Sequence, residues 1–169
     1  EGDFTDGDIV DFQDHRGRFL GRGYANTRST IVARLLTPER QTIDASFFRN
    51  RILNACSYRD QWVHHTNACR AVYSESDLLP GLIVDRYGDY LVVQFLTLGM
   101  DRWKEAVIDI LEDYFHPKGI IERSDTPVRR HEGLSSVKSV LRGDCPELID
   151  IQEYDRSYLV DVKNGQKTG

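Results

Sequence analysis

The chain of 169 residues suits one large or two small domains, and its 40% hydrophobic and 29% charged content supports a packed core rather than global disorder. A net charge of −5 does not mark the chain as a whole as a nucleic-acid binder. No apolar run approaches the ~20 residues of a membrane helix, and the first eight residues hold four acids where a signal peptide would be basic and then apolar.

Residues 7–36 read as a compact β unit. Ile9-Val10-Asp11-Phe12 alternates, Asp14-His15-Arg16-Gly17 turns, Phe19-Leu20 leads into Gly21-Arg22-Gly23-Tyr24, and Ser29 to Leu36 is a β-branched strand. Short strands with Gly turns predict a small barrel. Within 15–38 lie Arg16, Arg18, Arg22, Arg28 and Arg34 and no acid. Such a segment would meet a phosphate backbone, or it is a solvated surface that keeps the barrel soluble. A linking helix is predicted over 44–62, with Asp44 as N-cap and Phe47, Ile52, Cys56 and Arg59 on helical spacings. His64-His65 lacks a third ligand at metal spacing and reads as a loop.

Residues 68–135 read as an α+β unit. Arg70-Ala71-Val72-Tyr73 is a strand. Pro80-Gly81 predicts a type II turn, because Pro presets φ and Gly permits positive φ. The runs Leu82-Ile83-Val84 and Tyr90 to Phe95 form a hairpin around Tyr87-Gly88-Asp89, with Asp85, Arg86 and Asp89 placed at its bend. Asp101 is expected to cap a helix whose apolar face is Trp103, Ala106, Val107, Ile110, Leu111 and Tyr114. Ile120-Ile121-Glu122-Arg123 returns as a strand, and Ser124-Asp125-Thr126-Pro127 starts a short helix through about Arg130. The order is β-β-β-α-β, a sheet covered on one face by a helix. Arg123, Arg129, Arg130, His131, Lys138 and Arg142 form a second basic cluster, interleaved with Glu122, Asp125 and Glu132. Interleaved charges either satisfy one another or face RNA. Residues 147–162 read as a β-hairpin turning at Tyr154-Asp155-Arg156-Ser157, in a stretch where six acids oppose Arg156 alone between 144 and 161.

Three ordered blocks carry a resemblance. Leu79-Pro80-Gly81-Leu82-Ile83-Val84-Asp85-Arg86-Tyr87-Gly88-Asp89 with Gln94 comes first. Ile121-Glu122-Arg123-Ser124-Asp125 with Arg129 and Glu132-Gly133-Leu134 follows, then Val160-Asp161-Val162 with Gly165-Gln166-Lys167-Thr168-Gly169. Together they resemble a family of S-adenosylmethionine-dependent RNA methyltransferases whose studied members make 5-methylcytosine in large-subunit ribosomal RNA. The chain departs from the family pattern at Leu78, where Asp-Gly-Leu-Pro-Gly becomes Asp77-Leu78-Leu79-Pro80-Gly81. Gly7-Asp8-Ile9-Val10, Gly17, Phe19-Leu20-Gly21-Arg22-Gly23, Asn26 and Ser29 resemble the PUA domain, a small RNA-binding β-barrel whose first strand is missing here.

The resemblance implies an α+β chain with a PUA-like barrel portion at 1–43, a linker helix at 44–67, a central domain at 68–143, and a hairpin and the start of a methyltransferase domain at 144–169. The chain then reads as a fragment, inactive by itself, whose catalytic domain follows Gly169. S-adenosyl-L-methionine is the implied cofactor of the longer parent, with Gln166, Lys167 and Thr168 contributing to its pocket. That segment is no P-loop, because Gln166 rather than Gly precedes Lys167. Ribosomal RNA is the implied partner, met by Arg16, Arg22, Arg34, Arg86, Arg123, Arg129 and Arg130. No catalytic or metal-binding residue is assigned. Methylation at cytosine C5 needs a thiolate to add at C6. Cys145-Pro146 is set in an acidic loop that would raise a thiol pKa, so Cys145 reads as structural. Cys56, Cys69 and Cys145 form no CxxC pair, which fits a reducing cytoplasm. The alternatives are a self-contained, non-catalytic RNA-binding module and a homodimerisation module that uses the acidic hairpin.

Overall fold

The computed structural model describes residues 3–165. Strands β1 (Ile9–Gln13), β2 (Phe19–Ala25) and β3 (Ala33–Thr37) form an antiparallel meander in the order β1-β2-β3. It is not a closed barrel: Tyr24 and Leu36 point into the main apolar core, so the meander packs on the central unit instead of curling on itself. Strand β3 starts at Ala33, four residues later than expected. The Arg28 N–H donates to Asn26 Oδ1 (3.1 Å), the Ser29 N–H to the Asn26 carbonyl (3.2 Å) and the Ile31 N–H to Ser29 Oγ (3.3 Å). These local partners draw the backbone out of the ladder despite the β-branched side chains.

Helix α1 (Ala45–Trp62) forms where the sequence predicts it, with the Asp44 carboxylate accepting from the Phe47 N–H at 2.9 Å. Five strands make the central sheet, in the order β4 (Ala68–Tyr73), β5 (Leu82–Tyr87), β6 (Tyr90–Phe95), β7 (Gly119–Ser124) and β8 (Val137–Gly143). Only β6 and β7 pair in parallel, as their long helical connection allows. The turn before β5 is as expected: the Leu82 N–H donates to the Leu79 carbonyl at 3.0 Å, and Gly81 takes φ +81°.

Further expectations are corrected. Strand β8 is an additional strand, missed because Ser135 to Gly143 alternates weakly. Asp85 lies within β5 rather than at its bend, buried and held by both Nε (2.8 Å) and Nη2 (3.0 Å) of Arg70. Thr97, not Asp101, caps the crossover: a four-residue helix α2 (Leu98–Asp101) precedes α3 (Lys104–Phe115), and Asp101 is spent on Arg129 and Lys104. The hairpin β9 (Leu148–Glu153) and β10 (Arg156–Asp161) lies within the expected span, but its strands run closer to the turn, which is Tyr154-Asp155 alone. Helix α4 (Val128–His131) joins β7 to β8.

Helices α1 and α3 cover one sheet face, burying Phe48, Ile52, Val107, Ile108 and Leu111 against Val84, Leu91, Val93 and Ile120. The other face is also covered. There the β9–β10 hairpin sets Ile149, with Val162 and Cys145, against Val92 and Ile121. Alternation along β6 and β7 explains the split, because Val92 and Ile121 point opposite to their neighbours.

Candidate nucleic-acid interface

Tyr24 and Glu132 hold the meander on the central unit, beside the Arg102–Asp8 and Arg34–Glu75 ion pairs. The Tyr24 hydroxyl donates to the Pro80 carbonyl (2.6 Å) and stands 2.8 Å from Thr97 Oγ1, while its ring fills the space a side chain would need at Gly99. Glu132, 2% exposed, accepts from Ser29 Oγ (2.6 Å), Asn26 Nδ2 (2.8 Å), the Leu98 N–H (3.2 Å) and Arg34 Nη2 (3.4 Å). Burial opposes its charge, but the Ser29, Asn26 and Leu98 hydrogen bonds with Arg34 hold its carboxyl below the usual range. Glu132 belongs to the second family block, so that block staples the two units together.

The arginines singled out by sequence separate into spent and available groups. Arg129, 2% exposed, donates to the Ser135 carbonyl (2.7 Å), the Phe95 carbonyl and Asp101 (2.9 Å). Arg123 donates from β7 to the Val162 carbonyl (2.6 Å), the Gly165 carbonyl (3.3 Å) and Asp125 (3.2 Å). A phosphate cannot reach either guanidinium in this arrangement. Arg34 is largely buried between Glu75 (3.0 Å) and Glu132. Arg22 is held by Asp11 (2.6 Å) and the Gln41 carbonyl (2.7 Å). Arg86 is half-buried and donates to the Gly88 carbonyl at 3.0 Å. Arg16, at the β1–β2 turn, and Arg130, on α4, are exposed. The structure does not gather all seven on one face.

Arg18, Arg28 and Arg40, absent from the seven, are more exposed than most of them. All three lie outside the strands, and the signal that could have found them was the turn residues beside them, Asp14 to Gly17, Asn26-Thr27 and Pro38. No group of His, Cys, Asp and Glu among the described residues could hold a metal ion.

Gln166, Lys167 and Thr168 lie outside the described residues, so their proposed cofactor role has no structural description. The strand-to-helix turn after β6 is filled by the Tyr24 ring against Gly99, which leaves no room for a cofactor at that turn. None of the thiols is primed as a nucleophile. Burial pushes Cys56 up to about 12 and raises Cys69, and Cys145, 1% exposed, is raised by burial and then by Asp144. Cys145 is a core residue packed beside Gly119.

Residues 1–38 match the PUA-like domain family. Along nearly its whole length the chain is similar to proteins named ribosomal RNA large subunit methyltransferase I. It is 38% identical to that of Pseudoalteromonas atlantica, covering 96% of this chain and 42% of the relative. For Shewanella denitrificans the values are 40%, 96% and 42%, and for Escherichia coli 36%, 100% and 44%. The chain thus spans less than half the length of these curated relatives. Two solved structures share the fold. One is a candidate SAM-dependent methyltransferase from Streptococcus mutans, with TM-score 0.80 and 21% identity over 95% of this chain and 42% of that one. The other is a candidate methyltransferase in complex with SAH, with TM-score 0.81 and 20% identity over 96% and 41%.

Proposed function

We propose that the chain is the RNA-recognition part of an S-adenosylmethionine-dependent large-subunit ribosomal RNA methyltransferase acting at cytosine C5 in the cytoplasm. The observation that carries this reading is similarity at 36–40% identity, spread over 96–100% of the chain, to relatives named for methylating that RNA. The PUA-like match over residues 1–38 supports the RNA part. On this reading the described residues bind and orient RNA, and the catalytic nucleophile is none of the three thiols, whose pKa values are raised. Gln166, Lys167 and Thr168 are the positions proposed to touch the donor.

Methyl transfer from labelled S-adenosylmethionine to ribosomal RNA tests the reading. The full-length protein is expected to label a cytosine, and the 169-residue chain to label nothing. Label on another base removes the cytosine assignment, and label from the chain alone removes the division of labour.

A second reading, homodimerisation through the acidic hairpin, is favoured by Leu148, Tyr154, Tyr158 and Leu159, all exposed on β9–β10. Sedimentation as a dimer that Leu159→Ser dissolves would establish it.

A further inference from the structure

Loop 26–32 of the meander meets the turn after α4 at the seam between the two units. Arg28, 70% exposed at its side chain, lies along Gly133: a Cβ there would stand 3.1 Å from Arg28 Cδ and 3.2 Å from its Nη1. The Gly133 N–H donates to the Arg130 carbonyl at 3.2 Å. The Arg28 guanidinium therefore sits beside the turn that presents Arg130 and His131, both exposed. Among the described residues Arg130 makes no side-chain hydrogen bond or ion pair, and the one ion pair of Arg28 is a 3.6 Å approach to Asp6.

One residue brings these cations together. Glu132, two positions after Arg130, reaches across the seam to Ser29 and Asn26 on the loop that carries Arg28. Asn26 Nδ2 also donates to the Glu132 carbonyl at 3.0 Å, so loop and turn are tied by side chain and backbone together. Burying a carboxylate is costly unless its acceptor sites are filled. Four donors fill them here, and that requirement fixes one loop against the other. Of the other arginines near this seam or in the basic stretches, Arg22, Arg34, Arg123 and Arg129 are spent, and Arg18 is held by Asp14 at 2.7 Å.

We infer that Arg28, Arg130 and His131 form a contact site for the phosphate backbone of RNA, and that Glu132 is its positioning residue. The inference rests on the RNA-recognition reading above. Guanidinium groups donate in a planar fork suited to phosphate oxygens and are weakly hydrated, so two of them carried on loops tied across one seam and largely unpaired favour a polyanion over a neutral partner.

Binding of the full-length protein to a large-subunit ribosomal RNA fragment across a salt series tests it. The Arg28→Ala/Arg130→Ala pair is expected to lower the slope of log affinity against log salt by about 2, one phosphate contact each, without moving the melting temperature. In a Glu132→Gln background the loss caused by Arg28→Ala is expected to shrink, because the loop is no longer held in register. An Arg28→Ala loss of equal size in both backgrounds overturns the positioning role. Salt-dependent binding that the double substitution leaves unchanged, or that falls instead with Arg16→Ala/Arg18→Ala, overturns the seam and leaves the RNA reading standing. No binding by the unaltered protein at low salt overturns that reading itself.

Discussion

The basic stretches 15–38 and 123–142 are similar in arginine content and differ in use. In the first, Arg16, Arg18 and Arg28 stay at the surface on turns, while Arg22 and Arg34 reach acids on other segments. In the second, Arg123 and Arg129 run inward and terminate on backbone carbonyls at strand ends and loops. Arg142 grips Asp109 (2.9 Å), Glu105 (3.3 Å) and Glu112 (3.3 Å) along α3. An arginine on a turn keeps its donors for solvent or a ligand. An arginine on a central strand, or beside buried loop carbonyls, satisfies groups the fold would otherwise leave unpaired.

That contrast can be broken most sharply at Arg129. Arg129→Ala strips donors from the Phe95 and Ser135 carbonyls and leaves Asp101 with Lys104 alone, and is expected to cost about 3–5 kcal/mol in denaturant unfolding. Gly99→Ala drives a Cβ to within 2.1 Å of the Tyr24 ring and is expected to cost about 1–3 kcal/mol by overpacking the contact between the units.

Glu132 gives the comparison a pH axis. Its folded pKa is lowered, so its contribution is complete above the unfolded value of about 4.3 and is lost as pH falls through the lower folded value. Glu132→Gln is therefore expected to flatten the acid limb of stability measured between pH 5 and pH 3, roughly the window around that unfolded pKa. An unchanged acid limb would show that the staple is electrostatically neutral.

Smaller effects follow at single backbone and surface positions. Leu78 stands where the family pattern has Gly, takes φ +58° and is 57% exposed. Leu78→Gly should stabilise by about 0.5–1 kcal/mol, because glycine enters the left-handed region without steric penalty and little buried area is lost. Arg16→Ala and Arg130→Ala should each move stability by less than about 0.5 kcal/mol, because both are exposed and at most Arg16 makes a weak contact, to His15. A larger loss at either would place it with the spent arginines.

Much of the fold was legible in the residues. Asp44 with its helical spacings placed α1, Pro80-Gly81 placed the turn before β5, and the paired β-rich runs placed both hairpins. Misses fell where short-range signals compete. Asn26 and Ser29 turned a β-branched run into a loop, and Thr97 took the cap that Asp101 offered. Strand β8 exists because β7 had an open edge to pair with, a condition no local pattern records.

The site was less legible for a related reason. Residue identity and period determined by themselves where the strands and helices run, that the chain is rich in arginine at two places, and which family its motifs resemble. Only the tertiary structure decided which arginines face solvent, that the meander stays open against the central unit, and that Glu132 ties Arg28 to Arg130. Those outcomes depend on partners distant in sequence, Asn26 and Ser29 with Glu132 or Arg123 with Val162, and on the cost of leaving any buried polar group unpaired.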